Sequence, residues 1–237
     1  MAYILNRILK KFNNLYYITL PKHLHKKIFC VSIQRTGTTS VGDFFEKHNY
    51  RRAGWRHTKE NNWGKLYFDG NYEAIFNSAD FRNNDAFEDG PESIGHFYKY
   101  LFHRFPNSIF ILLTRDSDKW FSSMMSHSKG KTLGNTFRHC YTYQRETEYY
   151  NVFGEKHDYN QNKIDNLLPL TEEYRTHYKN VYENRNRHCI DFFKSKDPNN
   201  SRFIHLKLED HDKWKKIAAF VGFNIDEDFD VHSNKSA

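Results

Sequence analysis

Three features of the sequence predict a single α/β domain with a central, mostly parallel sheet flanked by helices. Lys27–Ile33 is a short apolar run rich in β-branched residues, which is typical of a buried parallel strand, and a polar turn and a helical pattern follow it. A second apolar run, Ser108–Thr114, leads into another helical pattern. With 237 residues, the chain is long enough to bury a substantial core in one domain.

The same patterns predict the order of elements along the chain. We expect a first helix that reaches about Asn49, a short helix over Asn71–Asp80, and a helix that begins at Pro91 and continues through Leu101. We expect residues 1–26 to be an N-terminal extension packed on the domain, and residues 27–237 to form the domain itself. The predicted strands are Lys27–Ile33, Tyr50–Ala53, Asp85–Phe87, Ile109–Thr114 and Phe203–Leu208.

The turn after the first strand has the composition of an anion-binding loop. Gly37 lies at its centre, and the amides of the turn and of the first helical turn converge there, where the helix dipole adds positive potential. Arg35 adds a fixed positive charge. The simpler interpretation is a strand-to-helix turn with a cluster of N-cap residues. The candidate ligand-binding residues are Gln34, Arg35, Thr36, Gly37, Thr38, Thr39 and Ser40.

This loop does not match the Walker A motif of ATP- and GTP-cleaving proteins. That motif reads G-x-x-x-x-G-K-[ST], but Ser32 occupies the first glycine position and Thr38 the lysine position. The later sequence Gly130–Thr132 also fails, because Met125 stands where the first glycine should be. Without the lysine, such a mechanism loses a main contact to the β- and γ-phosphates.

A second cationic group follows the second apolar strand. Arg115 comes directly after Ile109–Thr114, so two strands end in arginine-bearing turns, and ligands bind at the carboxyl edge of open α/β sheets. The alternative for Arg115 is a structural ion pair with Asp116 or Asp118. The order of the motifs therefore predicts an anion site shared by two strand ends.

The two motifs together resemble those of the sulfotransferases that use 3′-phosphoadenosine 5′-phosphosulfate (PAPS). The 5′-phosphosulfate loop of that family matches Arg35–Thr39, and its 3′-phosphate pair, an arginine and a serine eight residues later, matches Arg115 and Ser123. The resemblance extends from Lys27 to Lys235. It implies a P-loop NTPase-like fold, PAPS as sulfuryl donor, adenosine 3′,5′-bisphosphate as product, and no metal.

The resemblance also implies a catalytic base shortly before a proline between the two nucleotide motifs. Relative to Pro91, the matching residue is Asp89, with Glu88 as the alternative. A carboxylate can accept the proton of an acceptor hydroxyl, and Arg35 would stabilise the charge that grows on the leaving group. For Asp89, the simpler interpretation is an acidic residue placed favourably at a helix N-terminus.

The amino-acid composition favours an anionic ligand but does not identify its class. The net charge of +7 fits an anionic ligand, whether nucleotide, acidic glycan, nucleic acid or membrane surface. The three cysteines and fourteen histidines form no disulfide or metal-binding pattern, and no apolar run approaches the length of a membrane span. We therefore expect a cytoplasmic protein without a bound metal. A solvated basic face is expected on the helix pattern of Glu172–Phe193, at Arg175, Lys179, Arg185 and Arg187.

Three functions compete at this stage. The first is PAPS-dependent transfer of a sulfuryl group to a hydroxyl of an acceptor, most plausibly a carbohydrate or small metabolite, with no nucleic-acid partner. The second is a P-loop-like nucleotide kinase or NTPase, which the residues at positions 32 and 38 argue against. The third is a non-enzymatic basic protein that binds phosphate groups of RNA or an acidic glycan with salt-sensitive affinity.

Overall fold

The centre of the molecule is a five-stranded, entirely parallel sheet. The computed structural model describes residues 26–130, 136–155, 167–231 and 233, so the predicted extension lies outside the described residues apart from Lys26. The strand order is β2-β3-β1-β4-β5. All five predicted strands are confirmed, but only Ile109–Thr114 has its predicted bounds and the other four are shorter than expected. The strands are β1 Ile28–Cys30, β2 Arg52–Ala53, β3 Ala86–Phe87, β4 Ile109–Thr114 and β5 Phe203–Lys207.

Helices connect the strands and cover the sheet. Short 3₁₀ turns occur at Pro91–Ser93, His127–Gly130 and Glu172–Tyr174. The α-helices are α1 Thr38–Lys47, α2 Trp55–Glu60, α3 Trp63–Phe68, α4 Tyr72–Asn77, α5 Ala79–Asn83, α6 Phe97–Arg104, α7 Ser117–Ser126, α8 Phe137–Thr142, α9 Glu146–Phe153, α10 Arg175–Lys196 and α11 Lys213–Val221.

Two helix predictions are wrong in detail. The helix expected from Pro91 through Leu101 is a 3₁₀ turn followed by α6, because Gly95 adopts a left-handed φ of 48° that interrupts helical geometry. The helix expected over Asn71–Asp80 is divided at Ser78, whose side-chain oxygen accepts a hydrogen bond from the Phe81 amide and caps α5. Residues 88–93 therefore follow β3 as an irregular segment.

Alternate residues of the central strands pack into two separate cores. On one face, Phe29 and Phe110 join an aromatic cluster that includes Phe193 of α10. On the other, Cys30 joins Phe44 of α1 and aliphatic residues of α11. All three cysteines are buried free thiols, and burial raises the pKa of Cys30 to about 12. Helices on both faces therefore hold the sheet, as the α/β prediction requires.

The parallel arrangement brings every strand end to one edge. Neighbouring strands lie about 4.8 Å apart, so residues that follow them share one surface. In spatial order, this carboxyl edge carries Trp55 after β2, Asp89 after β3, Arg35 after β1, Arg115 after β4 and Glu209 after β5. An exposed ring and acidic groups thus lie on one side of the Arg35 loop, and a second arginine lies on the other.

Candidate active site

The loop after β1 requires glycine at one position. Gly37 has a left-handed φ of 85°, and a Cβ added there would lie 2.6 Å from Cδ1 of Leu208. Arg35 also has a left-handed φ, 68°, which is uncommon for a residue with a long side chain. The loop therefore turns sharply twice before α1 begins, and such strain is typical of functional sites.

Gly37 is the N-cap residue of α1 and offers no side chain to the amides that begin the helix. The first turn of α1 also contains no acidic residue. Two hydroxyl groups of the loop are engaged elsewhere, since Thr36 donates to the Ile33 carbonyl and Ser40 accepts a hydrogen bond from the Ser233 amide at 3.0 Å. These two hydroxyls stabilise the loop, and the first turn of α1 supplies no acidic side chain to neutralise the positive end of the helix.

Arg35, Arg115 and Ser123 lie together at this helix end. The Arg35 Nε donates to Ser123 Oγ at 3.1 Å, and an Arg115 Nη donates to the Arg35 carbonyl at 3.4 Å. Within the described residues, no carboxylate oxygen lies within 4 Å of the Arg35 guanidinium. Burial and the neighbouring Arg115 charge lower the pKa of Arg35. Two cations without an acid between them form a strong anion site.

The alternative interpretation of Arg115, a structural ion pair with Asp116 or Asp118, is not found in the structure. Asp116 instead caps α7, accepting from the amides of Asp118 and Lys119. Asp118 pairs with basic residues of α10. The nearest carboxylate to Arg115 belongs to Glu209, whose Oε1 lies 3.7 Å from Nε, and that nitrogen makes no hydrogen bond.

Two aromatic residues that the sequence did not single out for the site fix these turns. The Tyr182 hydroxyl accepts from the Arg115 amide at 3.0 Å and donates to its carbonyl at 3.3 Å. The Trp120 indole nitrogen donates to the Gln34 carbonyl at 3.0 Å, and its ring stacks on Tyr182 with centroids 4.3 Å apart. Trp120 is a buried core residue, and only the tertiary structure reveals that it also holds the loop.

The Gln34 side chain faces a series of buried polar side chains that contact one another and extend away from the loop. Its amide group lies 3.4 Å from His139 Nδ1, and His139 Nε2 lies 2.8 Å from the Tyr178 hydroxyl. Arg145 donates to the same hydroxyl at 3.1 Å. Burial lowers the pKa of His139 well below its usual range, so the imidazole is neutral. Gln34 thus anchors the loop to α8.

Glu88 is deeply buried and holds the sheet edge together. Its side chain is 3% exposed, and Oε1 accepts from Arg52 Nε at 3.0 Å and Nη2 at 2.6 Å. A Cβ at Gly54 would overlap that oxygen, so the carboxylate packs directly on the backbone. Arg52 also pairs with Asp43 of α1. Burial, and secondarily Asp89, raises the pKa of Glu88 to about 7.

Asp89 is the more accessible of the two predicted carboxylates. Its side chain is 26% exposed, and its backbone has a left-handed φ of 57°. Arg138 of α8 donates to the carbonyls of Asp89 and Gly90 at 3.2 and 3.3 Å and lies 3.7 Å from the Asp89 carboxylate. Burial raises the pKa of Asp89, and Arg138 opposes that shift. Arg138 therefore positions Asp89.

A comparison with known protein families decides the class of the protein. The family model described as a sulfotransferase domain matches residues 27–237. The chain belongs to the sulfotransferase domain family. A comparison with curated proteins finds no match. The resemblance that the Arg35 loop and the Arg115–Ser123 spacing indicated is thus confirmed at the level of the family.

The described part of the sulfotransferase domain has neither a cluster of metal-binding side chains nor a helix suited to span a membrane. Across the ranges that the structure describes, no three His, Cys, Asp or Glu side chains are grouped so that they could hold a metal ion. Over the same ranges, no helix is both long and apolar enough to cross a membrane.

Arg185 of the sulfotransferase domain is an exception to the predicted solvated basic face on α10, on which Arg187 is exposed as predicted. Its side chain is buried, one Nη donates to the Ser93 carbonyl at 3.5 Å, and the guanidinium lies 5.3 Å from the Tyr98 ring centroid. Arg175 and Lys179 are partly exposed, and both pair with Asp118, at 3.1 and 2.6 Å. Arg138 and Arg185 therefore hold residues 89–93 from two helices.

Among the described residues of the sulfotransferase domain, Glu92 is a buried acid whose carboxylate accepts no hydrogen bond. It is 1% exposed, and neither carboxylate oxygen has a hydrogen-bond partner. Burial raises the pKa of Glu92 to about 7, well above the value near 4.5 of an exposed glutamate. Between those values the folded state binds the extra proton, so stability falls as pH rises, by about 1.4 kcal/mol per pH unit for one group.

In Glu92→Gln, we expect the free energy of unfolding to fall less steeply with pH, by the contribution of one proton. Above pH 7, the variant should therefore be more stable than wild type by about 3 kcal/mol. The physical reason is that glutamine carries no charge to bury. Urea unfolding at intervals from pH 5 to 8 measures the effect. Glu60→Gln, at an exposed site paired with Arg56, is the control that should leave the slope unchanged. Parallel slopes for wild type and Glu92→Gln would contradict the assignment.

Proposed function

We propose that this sulfotransferase domain transfers a sulfuryl group from PAPS to a hydroxyl of an acceptor, most plausibly a carbohydrate or small metabolite. The observation that carries the proposal is the pair Arg35 and Arg115 at the amino end of α1, with no carboxylate near Arg35 among the described residues. Adjacent guanidinium groups repel each other unless an anion lies between them. A bisphosphorylated nucleotide suits such a site.

The residues present fit the donor. Arg35, Gly37 and the first turn of α1 would hold the 5′-phosphosulfate, since amides at a helix N-terminus bind such groups. Arg115 and Ser123 would hold the 3′-phosphate, because a guanidinium and a hydroxyl both donate to it. When bound, PAPS supplies a sulfuryl group that is activated by its link to phosphate.

The chain's own residues would then divide two tasks. Asp89 accepts the proton of the acceptor hydroxyl, as its partial exposure and its position beside the Arg35 loop allow. Arg35 stabilises the negative charge that grows on the leaving oxygen, as a preorganised donor does. Glu88 is buried and pairs with Arg52, which also pairs with Asp43, so these residues hold β2, β3 and α1 together. Because it is buried and already paired, Glu88 is the less suitable base.

Calorimetric titration of wild type and Arg115→Ala with adenosine 3′,5′-bisphosphate tests the proposal, with magnesium-ATP as the comparison ligand. We expect tight bisphosphate binding, weaker binding of magnesium-ATP, and an affinity for bisphosphate that falls about 10- to 100-fold in Arg115→Ala, because a charge-assisted contact to phosphate is lost. Arg104→Ala, an exposed arginine paired with Glu73, is the matched control.

Two other results would each point to a different function. Preference for magnesium-ATP over the bisphosphate would favour a nucleotide kinase. Binding of neither ligand, together with salt-sensitive binding of RNA or an acidic glycan, would favour a non-enzymatic anion-binding protein. The cytoplasmic location and the absence of a nucleic-acid partner stay predictions from the sequence.

A further inference from the structure

Trp55 differs from the other tryptophans of the chain in its exposure. The sequence contains four tryptophans, and Trp63, Trp120 and Trp214 are buried. Each of these three indole nitrogens donates a hydrogen bond to a fixed partner, in Ser78, Gln34 and Asp230 respectively. The Trp55 side chain is 48% exposed. A large exposed ring contributes little to the core, so its presence invites a functional explanation.

Trp55 follows the strand next to the one that leads into the predicted catalytic carboxylate. It is the first residue of α2, separated from β2 only by Gly54, and β2 pairs with β3, which leads into Asp89. Gly54 packs against the Glu88 carboxylate, and Thr58 Oγ1 lies 3.1 Å from the point where a Cβ of Gly90 would stand. Residues three apart on a helix are neighbours on its surface, so Trp55 lies next to the buried Thr58 at the end of α2 that adjoins residues 88–90.

On the basis of the proposed function, we propose that Trp55 is the platform on which a carbohydrate acceptor binds. The C–H face of a sugar ring packs on the indole, and the outward hydroxyls face Asp89. The donor would occupy the β1–β4 side of the carboxyl edge, and the acceptor the β2–β3 side. The transferred group would then pass across the Arg35 loop, which lies between them.

The surroundings of the ring favour a sugar over a flat aromatic acceptor. The Lys59 ammonium lies 5.1 Å from the centroid of the Trp55 ring, and the neighbouring Arg56 is exposed and paired with Glu60. Small aromatic ligands are usually enclosed by predominantly apolar pocket walls. A half-exposed indole among charged side chains instead suits a sugar ring, which has an apolar face and hydroxyl groups around its rim. The hydroxyl groups can keep their hydrogen bonds with charged side chains and water while the apolar face packs on the indole.

The exposure pattern supplies a direct assay. Because the other three tryptophans are buried, acrylamide should quench chiefly the fluorescence of Trp55. We would titrate bisphosphate-saturated protein with tetrasaccharides of cellulose, chitin and hyaluronan, and with cyclohexanol as a non-carbohydrate ring alcohol. We expect at least one tetrasaccharide to shift the emission to the blue and to remove most of the acrylamide quenching, whereas cyclohexanol does neither. Absence of protection by every saccharide would overturn the proposal.

Kinetic variants test the same platform through turnover. With the protecting saccharide as acceptor, Trp55→Ala should raise the acceptor KM by about 10- to 100-fold, since stacking on an aromatic ring contributes about 1–3 kcal/mol. Trp55→Phe should recover part of the loss. Tyr100→Ala removes another exposed ring, from α6, and should leave KM unchanged. An unchanged acceptor KM in Trp55→Ala would overturn the proposal.

Failure of this inference can be distinguished from failure of the proposed function. Bisphosphate affinity, measured by calorimetry on the same Trp55→Ala protein, reports the donor site alone and should equal that of wild type. If bisphosphate binds tightly but no saccharide protects Trp55, the carbohydrate platform is wrong and the donor site stands. If bisphosphate does not bind even to wild type, the proposed function itself fails.

Discussion

Asp89→Asn should lower the rate of sulfuryl transfer about 10²- to 10⁴-fold, which is the usual contribution of a general base. The substitution removes the proton-accepting oxygen while keeping the size and shape of the side chain. It should also preserve the backbone, because asparagine tolerates the left-handed φ of 57° found at this position. Bisphosphate affinity should therefore match that of wild type, so the loss would be confined to turnover.

The comparison with Glu88→Gln makes this prediction specific. Glu88 is buried and accepts two hydrogen bonds from Arg52, so its neutral variant should change the stability of the edge formed by β2 and β3 more than it changes turnover per folded molecule. Transfer rates normalised to folded protein, with unfolding curves for both variants, separate these effects. Full activity in Asp89→Asn together with loss in Glu88→Gln would move the base to Glu88.

The fold was predictable from local patterns because the buried strands are nearly continuous apolar runs. Ile109–Thr114 is buried on both faces along almost its whole length, so its hydrophobicity is visible without any knowledge of its neighbours. The turn at Gly37 before the first helix was also visible, and the glycine there adopts a left-handed conformation. The helix from Pro91 was wrong because nothing local reveals that Gly95 has a positive φ.

The candidate site was predictable where a motif lies within one turn, and not where it depends on packing between distant segments. Tyr182 holds the Arg115 backbone across 67 residues of sequence, and Arg138 reaches the Asp89 carbonyl across 49. Arg185 is surrounded by polar residues in the sequence, and only the position of α10 against residues 89–93 buries it. Composition and spacing carry no signal for such contacts.

Arg35 and Asp89 share one conformational feature that connects the site to stability. Both have left-handed φ values, which cost free energy in residues other than glycine. Arg35 in addition faces the Arg115 charge without a carboxylate within 4 Å among the described residues. A bound anion would offset the repulsion between Arg35 and Arg115 and so stabilise the folded protein.

Arg35→Gln tests this relation between stability and binding. We expect bisphosphate affinity to fall about 100-fold, corresponding to about 3 kcal/mol, because the charge-assisted contacts of the guanidinium are lost. The stability of the unliganded protein should stay within about 1 kcal/mol of wild type, since loss of the hydrogen bond to Ser123 is offset by relief of repulsion from Arg115. Glutamine keeps a Cβ, so the backbone strain at this position is unchanged.

Thermal unfolding with and without bisphosphate measures both parts of the prediction. At a bisphosphate concentration well above the wild-type Kd, wild type should gain a large increase in Tm, and Arg35→Gln should lose most of that increase while its unliganded Tm stays close to that of wild type. Arg104→Gln, which alters an exposed arginine paired with Glu73, should reproduce wild type in both conditions. A large fall in the unliganded Tm of Arg35→Gln would show that Arg35 is chiefly structural. Such a result would remove the physical basis for placing the donor at the amino end of α1, because an arginine required for folding need not face a ligand charge.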